Sequence, residues 1–306
     1  MISTVPRVLL GLFFCVSAGA KLAGVGDFEL YIFSFGFASF DLCTLAARLI
    51  IAGEFILGLG LVSGWWHHFV NGVTAALLVG FSAFLLWRMS EGDTASCHCF
   101  GNLVDMNPAQ SLLKNAAAFA VLIIAWIFPG EINIHKHRGL IAAVLSAVVL
   151  VAVPAINPPD FWFRLTGSGS SDLNAEKFRE AADTTGLLSG RQMVCFYSLT
   201  CENCRQCAVK MAGIIRRDNL PQDRIHCFFM EEYVDMPQAI SIFYDKFGAG
   251  LHLPYLWAPV LDFLPITNGS MPLVCLFEDG ALVREYDRLT VDEEYISDFL
   301  TTCAPY

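Results

Sequence analysis

Residues 200–207 read T-C-E-N-C-R-Q-C (Thr200-Cys201-Glu202-Asn203-Cys204-Arg205-Gln206-Cys207), directly after the short apolar run Met193-Val194-Cys195-Phe196-Tyr197-Ser198. A run of that length and composition reads as a buried strand, and the chain from Cys201 through Lys210 to Arg216 reads as the helix that follows it. Two thiols three residues apart at a helix start have a specific chemistry. The helix dipole and its free N–H groups stabilise a thiolate at Cys201, and Cys204 lies within reach to resolve a mixed disulfide formed there. A zinc site using Cys201, Cys204, Cys207 and a fourth ligand is the competing use of the same spacing.

The surrounding sequence alternates helix and strand. A polar helix is expected over 174–185, a second strand over 226–230 and a second helix over 237–247. An apolar, proline-punctuated segment follows over 251–266. Met271-Pro272 then opens a hairpin of strands over 271–277 and 281–286, joined by the turn Glu278-Asp279-Gly280, and a helix over 291–301 ends the pattern. A strand, a C-x-x-C at a helix start and a proline opening a hairpin, in that order, resemble the thioredoxin fold. The resemblance implies that Cys201 is the exposed nucleophile, Cys204 the resolving thiol, and Pro272 a cis-proline that lies against the disulfide and receives the substrate strand. Two departures stand out: Thr200 occupies the place of a tryptophan found in many thioredoxins, and Cys207 adds a third thiol one helical turn further on. The hairpin with Pro272 counts against the zinc site.

The other half of the chain is built for a different solvent. Of the 306 residues 55% are hydrophobic and 16% charged, and the mean hydropathy of +0.54 lies outside ordinary soluble composition. Charge is scarce up to about residue 160 and frequent after about 172. Runs of about 20 apolar residues, enough to cross a bilayer, fall near 7–24, 42–63, 66–88, 111–129 and 139–156. The expected fold class is thus a membrane α-helical bundle of five helices followed by an α/β thioredoxin-like domain, with a transmembrane domain over 1–160, a Gly/Ser-rich linker over 161–173 and the thioredoxin-like domain over 174–306. Ala18-Gly19-Ala20 has the form of a signal-peptide cleavage site, but the single arginine ahead of the first run and the equally hydrophobic segment after it favour a retained helix. The aromatic stretch 28–40 reads as a short interfacial helix. A net charge of -10, with no basic cluster longer than Arg216-Arg217, excludes nucleic acid as a partner.

A second thiol cluster, Ser96-Cys97-His98-Cys99-Phe100-Gly101, follows the third apolar run. Two crossings separate it from the C-terminal domain, so the two face the same compartment. A C-x-C pair closes a disulfide only with strain, which makes Cys97 and Cys99 an electron acceptor for a thioredoxin-like dithiol. Cys97, His98 and Cys99 are alternatively soft ligands for copper or zinc. Of the eleven cysteines, Cys15, Cys195, Cys227 and Cys275 sit in apolar runs and read as buried small hydrophobes. Cys43, near the outer end of the second helix, at the start of its apolar run, reads as packing, with membership of a thiol relay as its alternative. Lys21, Arg48 and Glu54 are polar groups inside apolar runs. Glu54 implies an interior ion pair holding the bundle or, alternatively, a contact to a proton or a quinone headgroup.

Ser17-Ala18-Gly19-Ala20-Lys21, Glu54 and Cys97-His98-Cys99-Phe100-Gly101 make the N-terminal 160 residues similar to the MauE/DoxX group of redox-associated membrane proteins. That resemblance implies forming or maintaining disulfides in exported proteins, notably in methylamine dehydrogenase maturation. The layout is also similar to bacterial vitamin K epoxide reductase homologues, which implies quinone as an electron acceptor, although the membrane-side pair here is C-x-C in a loop. The expected function is a membrane-bound thiol–disulfide oxidoreductase of the bacterial inner membrane, relaying electrons between client thiols, Cys201/Cys204 and Cys97/Cys99, with its thioredoxin-like domain periplasmic. A non-catalytic assembly factor using 251–266 as contact surface, and a metal-delivery protein using Cys97-His98-Cys99, are the alternatives. Charge does not decide the orientation, because Arg7, Lys136 and Arg138 compete with Lys21, Arg88, Lys114 and Arg164. The direction of electron flow is not encoded.

Overall fold

The computed structural model describes residues 4–64, 66–90, 106–128, 136–166, 172–182, 189–248 and 250–302. Cys97, His98, Cys99 and Cys303 lie outside the described residues. The chain divides into two compact units, Met1–Ile32 with Thr44–Pro158, and Phe33–Cys43 with Pro159–Tyr306.

The first unit is helical. Five helices are long and apolar enough to cross a membrane: α1 (Thr4–Ala23), α3 (Phe40–Ser63), α4 (His67–Ser90), α5 (Pro108–Ile127) and the 139–156 part of α6 (Lys136–Ile156). The short α2 (Val25–Phe33) lies between α1 and α3. It ends seven residues short of the helix expected to reach 40, where Gly36 takes a φ of 69° that a continuing helix does not allow. α5 starts at a capping box, in which Asn107 and Gln110 each bond the other's backbone N–H, with Pro108 in the first turn. Leu10, Phe14, Leu61, Leu78, Ala118 and Leu122 form the interior. Leu113, Ile127, Leu140 and Val151 are exposed, as befits helices whose outer faces meet lipid.

Small residues bring α1 and α3 together. A Cβ added to Gly58 would lie 2.7 Å from the carbonyl oxygen of Gly11, and one added to Gly11 would meet the Gly58 carbonyl at the same distance. Backbones that close exclude any larger side chain. Gly58→Val is expected to lower the stability of the solubilised protein by about 1–3 kcal/mol, seen as a fall in melting temperature; an unchanged value would mean that the helices tolerate separation there.

The second unit is built on a mixed five-stranded sheet of β1 (Arg191–Tyr197), β2 (Ile225–Met230), β3 (Tyr255–Ala258), β4 (Leu273–Glu278) and β5 (Ala281–Tyr286), in the order β3-β2-β1-β4-β5. β1, β2 and β3 are mutually parallel; β4 pairs antiparallel with β1, and β5 pairs antiparallel with β4. Alternate residues serve two layers, as a pleated strand requires. Val194, Phe196, Phe228, Cys275 and Phe277 pack with Phe178 of α8 (Ala175–Ala182) and with Phe263 and Ile266 of α11 (Val260–Thr267). On the other face Tyr197 and Phe229 meet Phe243 of α10 (Met236–Phe247). α9 (Glu202–Arg217) and α12 (Glu293–Thr301) complete the unit, together with α7 (Asp160–Thr166).

Three features differ from the sequence expectation. The 251–266 segment holds a third parallel strand, β3, which pairs with β2 from Cys227↔Tyr255 to Met230↔Ala258. The helix α7 occupies part of the stretch expected to be linker, and Asp172 and Leu173 at its far end donate their N–H groups to Glu285 at 2.8 and 3.2 Å. Residues 33–43 belong to this unit: the Glu293 carboxylate accepts the Phe40 N–H at 3.0 Å, and the Lys210 ammonium lies 4.0 Å from the centre of the Phe40 ring. Lys210 is only 2% exposed, and it is made tolerable by Asp160 at 2.9 Å, the Arg288 carbonyl and that ring.

Candidate functional site

The site begins where β1 ends. The chain leaves Tyr197, turns through Ser198, Leu199 and Thr200, and enters α9 with Cys201 as its N-cap, at φ -76° and ψ 121°. The Cys201 sulfur takes the capping role usually filled by an oxygen, accepting the Cys204 N–H at 3.4 Å. Glu202 lies in the first turn of α9 and Arg216 and Arg217 in its last, both favourable with the helix dipole.

The two thiols differ in environment. Cys201 is half-buried and reachable, whereas Cys204 is fully buried. Burial drives the Cys204 thiol far above the ordinary thiol range, against the opposing pull of the Ser198 N–H, which donates to its sulfur at 3.5 Å. One sulfur is therefore presented and the other held back as a neutral thiol. Pro272 stands at the same end of the sheet. The Met271-Pro272 bond is cis, and Leu273, the next residue, pairs with Phe196 two residues before the Ser198 turn.

Cys207 faces inward. It is fully buried and accepts a hydrogen bond from the Tyr197 hydroxyl at 3.9 Å, and burial pushes its thiol up to about 12. Among the described residues no group of three or more His, Cys, Asp or Glu side chains is placed to hold a metal ion. No disulfide joins the described cysteines. Cys195, Cys227 and Cys275 are buried at 1%, 2% and 0% exposure, as apolar-run cysteines should be.

The shift at Cys207 makes a pH prediction. An unfolded chain loses this proton near pH 9 and the folded one near 12, so the stabilisation is complete below pH 9 and is lost as pH rises towards 12. Each pH unit in that window is expected to cost about 1.4 kcal/mol for one such thiol. Thermal melts at pH 8 to 11 should fall less steeply for Cys207→Ala than for the parent protein; equal slopes would show that Cys207 does not carry the effect.

In the helical unit, Lys21 and Glu54 are brought together. The Lys21 ammonium donates to both Glu54 oxygens, at 2.8 and 2.7 Å, and to the Ser17 hydroxyl at 2.8 Å, while Ser17 donates to Glu54 at 3.2 Å. Both carboxylate oxygens are thus engaged by side chains of the same bundle, as an interior ion pair requires. Arg48 forms a second pair with Glu29, and it also reaches the carbonyl oxygens of Thr44, Asn157 and Pro158. Cys43 is 1% exposed. Cys97, His98 and Cys99 fall outside the described residues.

Sequence reasoning missed Glu232, whose carboxylate binds the loop immediately ahead of Cys201. Its only sequence signal is a Glu231-Glu232 pair directly after the second strand.

Residues 1–128 match the family model described as methylamine utilisation protein MauE. The chain is also similar to Protein TlpB of Flavobacterium psychrophilum, 24% identical over an alignment that spans 93% of this chain and 90% of that protein. No solved structure gives a significant match. With five membrane-capable helices ahead of a mixed five-stranded α/β region, the molecule is a multi-pass membrane protein whose residues 1–128 match the MauE family model and whose C-terminal region is compatible with a thioredoxin-like domain.

Proposed function

We propose that this protein is a membrane thiol–disulfide oxidoreductase in which Cys201 exchanges with a client and Cys204 resolves the product. One observation carries the reading: a reachable sulfur caps a helix, and three residues on a buried sulfur sits in the same turn, its N–H bonded to the first. In the reductive direction the Cys201 thiolate attacks a client disulfide, forming a Cys201–client bond and releasing one client sulfur as thiolate. The Cys204 thiol then loses its proton and attacks the Cys201 sulfur, closing Cys201–Cys204 and releasing the second client sulfur. Two electrons pass to the client and two thiols become one disulfide. The oxidative direction is the same sequence reversed, and the same residues serve both.

Cys97 and Cys99 are the second pair of this reading, exchanging with Cys201 and Cys204 on the same side of the membrane. Tethering on one chain makes that step intramolecular, at an effective concentration on the order of millimolar. The clients are exported proteins, met on the periplasmic side of the bacterial inner membrane, where disulfides persist. The family model is described as a methylamine utilisation protein, and a protein of that process is one client that fits this reading. A second reading, a non-catalytic assembly factor, is favoured by apolar side chains left exposed after β2 and β3, Val234 and Leu261 among them.

The test is a trap. In Cys204→Ser a mixed disulfide at Cys201 cannot be resolved, and mass spectrometry of non-reduced peptides should find Cys201 joined to Cys97 or Cys99 and to client cysteines. Cys201 found only as a free thiol would sink the exchange mechanism and favour the assembly factor.

A further inference from the structure

We infer that Glu232 is a positioning residue of the dithiol centre, fixing the loop that presents Cys201 and biasing the pair toward its disulfide form. The inference rests on the reading of Cys201 and Cys204 as an exchanging pair.

Glu232 lies just past the end of β2, with a half-buried side chain. Its carboxylate accepts four hydrogen bonds, all from three consecutive residues. The Ser198 and Thr200 hydroxyls donate to one oxygen at 2.7 and 2.8 Å, and the Leu199 and Thr200 N–H groups donate to the other at 2.7 and 3.2 Å. Those three residues are the whole connection between β1 and the nucleophile. Leu199 is gripped at both ends, since its carbonyl accepts from the Arg205 side chain at 3.2 Å. Ser198 is also the residue whose N–H touches the buried Cys204 sulfur. A single carboxylate thus sets the backbone that places both sulfurs, through bonds that are charge-assisted and therefore strong.

A neutral side chain could brace a loop as well, so the charge has a consequence of its own. A carboxylate bonded to the residue before Cys201 repels negative charge on the Cys201 sulfur, which exists only in the reduced pair. The disulfide carries no such charge. Glu232 accordingly disfavours the dithiol relative to the disulfide, and the four donors around it moderate that effect by spreading its charge.

The experiment uses full-length protein in nanodiscs, equilibrated in glutathione buffers at pH 8, with the Cys201–Cys204 disulfide quantified by alkylation and mass spectrometry. Glu232→Gln is expected to make the pair easier to reduce, by about five- to tenfold in the equilibrium constant. Ser198→Ala with Thr200→Val, which keeps the charge and withdraws two of its donors, should move the constant about twofold or more the other way, and it serves if Glu232→Gln does not fold. Glu231→Gln, an exposed neighbour of the same charge, should leave it within twofold. A merely structural role would lower the melting temperature without these opposed shifts. The proposal is overturned if Glu232→Gln stays within twofold of the parent, or if Glu231→Gln shifts the constant equally. Should the parent form no Cys201–Cys204 disulfide at any glutathione ratio, the exchanging pair itself fails and this proposal goes with it.

Discussion

Replacing Cys201 by serine is expected to abolish exchange with a disulfide substrate, a loss on the order of 10³-fold or more in rate, while Cys207→Ala keeps the rate within about threefold. The contrast follows from where each sulfur sits. Cys201 alone of the three is reachable, and a hydroxyl in its place can cap α9 but cannot attack a disulfide. Cys207 is held as a neutral thiol under the Tyr197 hydroxyl, where its contribution is packing. Turnover of a small disulfide substrate by protein in nanodiscs measures both variants. Retained exchange in Cys201→Ser would move the chemistry to other thiols, and a dead Cys207→Ala would give the third cysteine a chemical role.

Lys21→Met is expected to destabilise the helical unit by about 3–5 kcal/mol, because it leaves the Glu54 carboxylate buried without its cation. Glu54→Leu should cost a similar amount for the opposite reason. The double variant should recover most of the loss, since two apolar side chains of comparable volume replace a pair whose desolvation offset its own attraction. Unfolding of the solubilised protein measures the three. Additive losses would mean that Lys21 and Glu54 do not act as a pair, against the 2.7 Å contact. The double variant carries a second result. If Glu54 serves only to hold α1 against α3, the folded double variant keeps its exchange activity; loss of activity in a stable double variant would restore the proton or headgroup contact.

Much of this was legible in residues 193–216, where a strand, a C-x-x-C and an amphipathic helix follow one another with distinct periodicities, and in five apolar runs whose length alone marks them as spans. The pairing of Lys21 with Glu54 was half legible: charges in apolar runs demand partners, yet Arg48 was an equal neighbour in sequence terms and in fact takes Glu29. β3 was illegible. Four residues between Pro254 and Pro259 carry too little pattern to read as a strand, and only the edge of β2 makes them one. Lys210 misleads in the same way, since a lysine on an amphipathic helix is expected in solvent and here is buried against Asp160, fifty residues upstream.

The amino-acid sequence by itself determined the local and the additive: which segments are apolar enough to span, which residue type opens α9, and which two thiols lie one turn apart. Those follow from propensity, period and transfer free energy, and each is a property of neighbouring residues. Only the tertiary structure decided that Cys204 and Cys207 are hidden while Cys201 is reachable, that Glu232 holds the loop before it, and that Phe40 and Asp160 make a place for Lys210. Burial and the pairing of polar groups are set by what the rest of the chain brings alongside, and no stretch of sequence contains its own surroundings.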